Sequence, residues 1–449
     1  MRLTVRCASV FLALPFVLCG AACASGGPEP APLRTTQPTK AAVTLAEQRP
    51  VVVPPPPRPA RVVLAAVGDV LLHDRLQDQA LGLPASPCKK ATRPCAPPIA
   101  DYASLWPTMA ELFAKDDFAI ANLEGAIDGD KPVSSYPLFN YDPGLAPALK
   151  QLGIGLVSTA NNHALDARGS GAAATLDALD AAGVLHTGTR AAPKIKQKNQ
   201  GSFAWGTVAA IPVRGSTEPP IRVGFVACTF ASDSKEGATN GVPDPSHQVL
   251  NCDSDRVELR SVLEELRASS DLVVVLPHWG LEYEIAPSKT QKRLAQEFVD
   301  GGASLVLGGH PHVPQPAFPL RSAVDGHEAL VVASLGNFVS HQVNRQDVPD
   351  TDGRERMLPA KASAKLHGPP TWIAPLVHVT LVRRDGVTTV EGFTYTPLRM
   401  HRTPRWHVAP LTEGDPPAAQ EFFDKMYGAD KRAPSVYFGT ADVAPQKIP

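Results

Sequence analysis

The chain has little cysteine, no dense basic segment and no long apolar run, and each shortage removes a class of function. Seven cysteines occur in 449 residues and no two stand in a CxxC pair, which excludes zinc-finger and zinc-ribbon modules. The formal net charge is −1, and without a block of Lys and Arg nothing supplies the electrostatic footprint for binding nucleic acid. The apolar run at residues 10–18 is far shorter than the roughly 20 residues of a membrane-spanning helix. No internal repeat is apparent.

What is present begins with an export signal. Arg2 and Arg6 precede the apolar run, and Gly20-Ala21-Ala22 lead to Cys23, the order of a cleaved targeting segment. It resembles a bacterial lipoprotein signal, cut before Cys23 with a lipid on its thiol, although Gly20 stands where that signal usually has Leu. An ordinary secretory peptide cut nearby is the alternative. The expectation is a signal over residues 1–23 and a Pro-rich tether over 24–60, ending in Pro54-Pro55-Pro56-Pro57-Arg58-Pro59, whose composition favours extended chain. The protein is then an exported, membrane-anchored lipoprotein facing the periplasm or cell exterior. Four cysteines remain in the body, and an even count in an exported chain suggests disulfides: Cys88 with Cys95 and Cys228 with Cys252, a buried pair of free thiols being the alternative.

Val62-Val63-Leu64-Ala65-Ala66-Val67 is a continuous apolar run of buried-strand length that stops at Gly68. Runs of the same kind follow at residues 118–121, 156–160, 223–227, 272–276, 304–307 and 330–333. Helical patterns lie between them at 172–182, with Gly183 as the stop, at 255–268 and at 291–299. Residues 376–382 and 387–393 flank Arg384-Asp385-Gly386 as a hairpin. Strands alternating with helices predict a layered α/β domain over 61–400 with a mixed sheet. Residues 191–220, 232–245 and 344–370 lack periodicity and are assigned to loops. Residues 401–449 read as a C-terminal extension packed on the domain.

Five short segments place metal-type ligands directly after apolar runs: Gly68-Asp69, Asn122-Leu123-Glu124, Asn161-Asn162-His163, His278-Trp279-Gly280 and Gly308-Gly309-His310-Pro311-His312. Strand ends are where an open α/β sheet gathers distant residues into one crevice. Singly, Gly-Asp is usually a turn, an acid after a strand is usually a cap, and one His is usually a satisfied side chain. Two imidazoles one residue apart, with glycines to relax the backbone, are more specific, and the joint case is stronger than any member. Imidazole with carboxylate suits Mn, Zn or Fe, whereas calcium prefers an all-oxygen shell.

Read together, Ala-Val-Gly-Asp-Val-Leu-Leu-His, Ala-Asn-Leu-Glu-Gly, Ser-Thr-Ala-Asn-Asn-His-Ala-Leu-Asp, Pro-His-Trp-Gly-Leu-Glu-Tyr, Gly-Gly-His-Pro-His-Val-Pro-Gln-Pro and Ser-Leu-Gly-Asn-Phe-Val resemble the CapA-type proteins of bacterial capsule and poly-γ-glutamate synthesis. These in turn look like members of the calcineurin-like metallophosphoesterase superfamily. The resemblance covers residues 62–338. It implies a layered sandwich of mixed β-sheets flanked by helices, and one or two divalent ions held by Asp69, Glu124, Asn162, His278, His310 and His312. Glu124 would take the place of a bridging Asp, and His163 would protonate the leaving group. Two departures stand out. The usual Asp-x-His opening is absent, His73 being a substitute only if its loop curls back, and the bridging Asp has become Glu.

Three functions follow from the resemblance and the anchor. One is a metal-dependent hydrolase or transferase acting on a cell-envelope polymer such as poly-γ-glutamate. The second is a phosphoesterase for a phosphorylated envelope precursor. The third is a non-catalytic factor that grips polymer or docks on a membrane-bound synthase. Glu282, Tyr283 and Glu284 are candidates for the pocket rim, and Asn337 for a hydrogen bond to a ligand.

Overall fold

Strands buried on both faces need apolar residues at every position, which is why the first strand is an unbroken run of Val, Leu and Ala. The computed structural model describes residues 59–82, 100–191, 205–229, 239–244, 247–342, 370–402 and 405–432, all within one compact unit. The signal, the body of the tether, Cys88, Cys95 and residues 344–369 lie outside the described residues.

The strands in chain order are β1 (Ala60–Leu71), β2 (Phe118–Leu123), β3 (Ala126–Ile127), β4 (Asn140–Tyr141), β5 (Ile154–Ser158), β6 (Leu185–Thr187), β7 (Gly206–Ile211), β8 (Ile221–Thr229), β9 (Leu272–His278), β10 (Leu305–Leu307), β11 (Pro314–Arg321), β12 (Glu328–Leu335), β13 (Asn337–Ser340), β14 (Ile373–Arg384), β15 (Val387–His401) and β16 (His407–Pro410). The helices are α1 (Asp74–Ala80), α2 (Met109–Phe113), α3 (Leu145–Leu152), α4 (Arg168–Ala182), α5 (Arg256–Ser269), α6 (Lys289–Asp300) and α7 (Pro417–Tyr427).

Two mixed sheets carry the fold. The first runs β16-β15-β14-β1-β2-β5-β6, with β13 also pairing β1, and the second runs β11-β12-β10-β9-β8-β7. Alternation along the strands explains the layering. Val62, Leu64 and Ala66 join Val274, Leu276 and Val332 in a core between the sheets, while Ala65 and Val67 join apolar residues of α1, α2 and α3 on the outer face. On the far side, Val273, Val275 and Val306 pack against Leu259, Leu263, Leu294 and Phe298 of α5 and α6. The architecture is therefore a sandwich of two mixed sheets with helices outside each, as expected.

Several local expectations are corrected. Residues 191–220 were assigned wholly to loop, yet β7 lies within them, an edge strand of ordinary Gly, Thr and Ala whose pairing with β8 decides its conformation. Asp69 does not follow the first strand but sits inside it, at a bulge where the register to β2 and β13 shifts. His278 likewise is the last residue of β9. The α4 helix begins at Arg168 and closes on Gly183, whose φ of +69° suits a left-handed cap. The hairpin of β14 and β15 is longer than the sequence pattern indicated and runs through residue 400. Beyond it β16 extends the first sheet, and α7 places Ala419, Phe422, Phe423 and Tyr427 in the central core.

Candidate metal centre

Strands β1, β2 and β5 run parallel in the first sheet, as do β9, β10 and β12 in the second. Their carboxyl ends meet at one edge of the sandwich, which brings Asp69, Glu124, Asn162, His278, His310 and His312 together, all buried. Close backbone approach makes this possible. A Cβ on Gly68 would stand 1.8 Å from the Gly336 carbonyl oxygen, and one on Gly309 would stand 2.9 Å from Asp69 Oδ1. The ligand loop also carries backbone strain: His310 has φ +93° and His312 φ +57°, a region that few non-glycine residues adopt.

The donor atoms form two groups. Asp69, Glu124 and His278 make one, and Glu124, His310 and His312 make the other, with ligand atoms in each within 4.8 Å of one another. Glu124 belongs to both. Its Oε1 lies 3.4 Å from His278 Nε2 and 3.8 Å from His312 Nε2. Among the described residues, both Glu124 carboxylate oxygens and His310 Nδ1 are buried without a hydrogen-bond partner. Polar atoms left bare in an interior cost free energy, so the arrangement fits residues that divalent ions would complete. A mixed set of carboxylate, imidazole and amide oxygen matches Mn, Zn or Fe.

Around the ligands lies a shell of amides. Asn122 donates from Nδ2 to Asp69 Oδ1 at 2.8 Å and accepts from Asn161 Nδ2 at 3.1 Å. Asn162 Oδ1 accepts from His278 Nε2 at 2.9 Å, and its Nδ2 donates to Asn240. His312 Nδ1 donates to Asn337 Oδ1 at 3.0 Å and lies 3.2 Å from Asp69 Oδ2, which turns Nε2 toward Glu124. His163 stands beside the groups, its Nδ1 donating to Asp166 Oδ2 at 2.6 Å, and the same oxygen accepts from the Phe139 N–H.

Three of these partners were not singled out in the sequence. Asn122 was quoted only as part of its segment, though it lies two residues before Glu124 and strand alternation puts it on the same face. Asp166 lies three residues after His163, a spacing that one turn of chain closes. Asn240 lies in an unpatterned loop and carried no signal. His73, the conditional substitute for the missing histidine, is in neither group. It stands at the N-terminal boundary of α1 without a side-chain cap bond, and its ring packs edge-on against Phe139 at 5.2 Å. Trp279 belongs to the core, stacked on Phe298 and donating to the Ala333 carbonyl. Glu282 and Tyr283 are half-buried, while Glu284 is exposed.

Burial and mutual charge set the protonation states. Burial pushes Glu124 up to about 8, opposed by His312 and reinforced by Asp69. Burial also disfavours charge on His312, but Glu124 and Asp69 outweigh it and raise the imidazole to about 10. Asp69 is held below its ordinary value because His312 and His278 overcome its burial. Burial depresses His278 to about 3 and takes His310 well below its usual range.

A metal must therefore displace protons from Glu124 and His312, so apparent affinity rises with pH, expected at about tenfold or more per unit between pH 6 and 8. In the metal-free chain the sign reverses. Glu124 contributes stability that is lost as pH rises from its ordinary 4.5 to about 8, and His312 likewise from 6.5 to about 10. The opposite contributions of His278 and His310 end near 6.5, so the metal-free melting temperature falls above that pH. Calorimetric manganese titrations and thermal melts at several pH values measure both trends, and flat profiles would contradict these assignments.

Over residues 63–342 the sequence matches the bacterial capsule synthesis protein family PGA_cap. The chain belongs to this family. It is 29% identical over 195 residues to the capsule biosynthesis protein CapA of Bacillus anthracis and 26% identical over 251 residues to the PGA biosynthesis protein CapA of Bacillus subtilis. A probable polyglutamine synthesis accessory protein of Mycobacterium tuberculosis is 26% identical over 213 residues. These matches cover 43%, 53% and 44% of this chain and 42%, 57% and 51% of the relatives, so the chain spans about half their length. Among solved structures, a phosphatase of Mycoplasma pneumoniae and the calcineurin-like phosphoesterase YfkN of Bacillus subtilis are each 13% identical, with TM-scores of 0.40 and 0.38. They cover 76% of this PGA_cap chain and 95% and 91% of their own. Likeness this loose transfers no chemistry, and the metal reading rests on the residues above.

Proposed function

We propose that the protein is an exported, lipid-anchored hydrolase or transferase of capsule or poly-γ-glutamate synthesis, working through two divalent ions. The observation that carries the proposal is the sharing of Glu124 by two ligand groups. Asp69, Glu124, His278 and Asn162 would hold one ion, and Glu124, His310 and His312 the other. Such ions, when bound, supply a hydroxide at neutral pH and stabilise negative charge on the attacked group.

The rest falls to the chain's own residues. Asp166 accepts from His163 Nδ1 and would stabilise the imidazole when it is protonated on both nitrogens; its Nε2, which Asn240 Nδ2 approaches at 3.3 Å, would then deliver a proton to the leaving atom once Asn240 turns aside. Asn122 and Asn161 steady Asp69 and hold its carboxylate at one angle. The Cys228–Cys252 disulfide supports an oxidising compartment and hence export. Cys23 would carry the lipid, the Pro-rich segment would reach out from the membrane, and a membrane-bound polymer synthase would be the partner.

A second reading, a non-catalytic grip on the polymer, is favoured by the position of His73 outside both ligand groups. Elemental analysis of the purified full-length chain, followed by assay of γ-glutamyl peptides and phosphoesters, separates the readings. Two ions per chain with turnover of γ-glutamyl peptides is expected. Stoichiometric metal without turnover of either class would favour the grip, turnover confined to phosphoesters would favour an envelope-precursor phosphoesterase, and absence of metal would exclude the enzyme.

A further inference from the structure

We propose that Glu282 is the residue by which this centre reads a free amino group, so that the substrate enters as an amino-terminated γ-glutamyl chain end and not as the middle of a polymer. The inference rests on the γ-glutamyl reading above and names the form of substrate it would take.

The turn that presents Glu282 is locked to the ligand loop. Gly280 has φ +94°, and a Cβ there would meet the Gln291 side chain at 2.8 Å. Tyr283, at φ +66°, donates its N–H to the Pro311 carbonyl at 2.8 Å, between the two histidines of the second group. The Glu284 carbonyl accepts from Gln315 Nε2, and Gln315 Oε1 accepts from Gln291 Nε2, both at 2.8 Å. The backbone that carries Glu282 is therefore held to the His-Pro-His loop through its next two residues.

Its position is unlike that of the other two carboxylates. Asp69 and Glu124 are fully buried, whereas Glu282 is partly open to solvent and belongs to neither ligand group. Its charge still acts on Glu124, His278, His310 and His312. Among the described residues Glu282 forms no ion pair with lysine or arginine. The rim of the centre thus carries a negative charge that a substrate must meet.

That charge sorts ligands by chemistry. A centre holding divalent cations draws carboxylate oxygens, and a carboxylate at its rim draws an ammonium group, so the pair is complementary to an amino acid terminus bearing both. An interior γ-linked unit brings an α-carboxylate without an ammonium and meets only repulsion at Glu282. A phosphate ester dianion meets the same repulsion.

The test uses the full chain loaded with manganese, its occupancy checked by elemental analysis, and calorimetric titration with γ-glutamylglutamate and its N-acetylated form. Wild type is expected to prefer the free amine by about tenfold. Glu282→Gln, with metal retained, is expected to bind the two within about twofold, and Glu284→Gln, on the exposed neighbour, to keep the preference. Equal binding by loaded wild type, or an undiminished preference in Glu282→Gln, overturns this assignment alone. Loaded protein that binds neither peptide overturns the γ-glutamyl reading and this assignment with it.

Discussion

Glu124→Gln is expected to fold normally and to hold at most one divalent ion per chain, with affinity reduced by about a hundredfold or more. The carboxylate is common to both ligand groups, so its loss strikes both, whereas loss of a partner outside the ligand shell typically costs about 10- to 100-fold. Folding should survive for a reason specific to this site. Burial keeps Glu124 protonated up to about pH 8 in the metal-free chain, and glutamine is a neutral side chain of the same shape. At pH 7 unfolding lets the wild-type carboxyl ionise, a gain that glutamine lacks, so the metal-free variant should be at least as stable as wild type there and should match it only below the ordinary carboxylate value of 4.5. Elemental analysis and melts with and without chelator measure both quantities. Occupancy equal to wild type would remove Glu124 from the centre, and a large loss of metal-free stability would show that the carboxyl group has a structural partner.

The largest effect on folding is expected from Gly68→Ala. The added carbon would sit 1.8 Å from the Gly336 carbonyl oxygen and 2.8 Å from its carbon, both backbone atoms with no rotamer to escape into. The Gly336 oxygen also accepts the Asp69 N–H at 2.9 Å, so relief by backbone movement would drag a ligand with it. Overpacking of a rigid interior commonly costs about 1–3 kcal/mol, and here the upper end or beyond is expected. Denaturant titration would read it as a lower midpoint together with poor soluble yield. A variant with wild-type stability and metal content would mean that β1 and the β12–β13 turn can separate freely.

Much of the frame was legible because strands covered on both sides must be apolar throughout, and such runs are visible without knowing their neighbours. The ligand segments were visible for a related reason, since polar side chains directly after a buried run need partners. What was not legible depends on pairing. The β7 strand has nothing distinctive in Gly206–Ile211 until β8 lies beside it, and the bulge at Asp69 exists only as a register shift against two other strands. Asn240 reaches Asn162 and His163 from a segment without pattern. The division of the six residues into two groups sharing Glu124 likewise follows from how the sheets meet and not from spacing along the chain.

Each ligand group draws on both halves of the sandwich: Asp69 and Glu124 come from the first sheet and its loops, and His278, His310 and His312 from the second. A cation bound there is a cross-link between two layers whose shared core is apolar. Occupancy at a thousand times the dissociation constant would add about 4 kcal/mol to the fold, comparable to a structural disulfide. The endurance of the folded protein would then follow the supply of divalent metal in its surroundings.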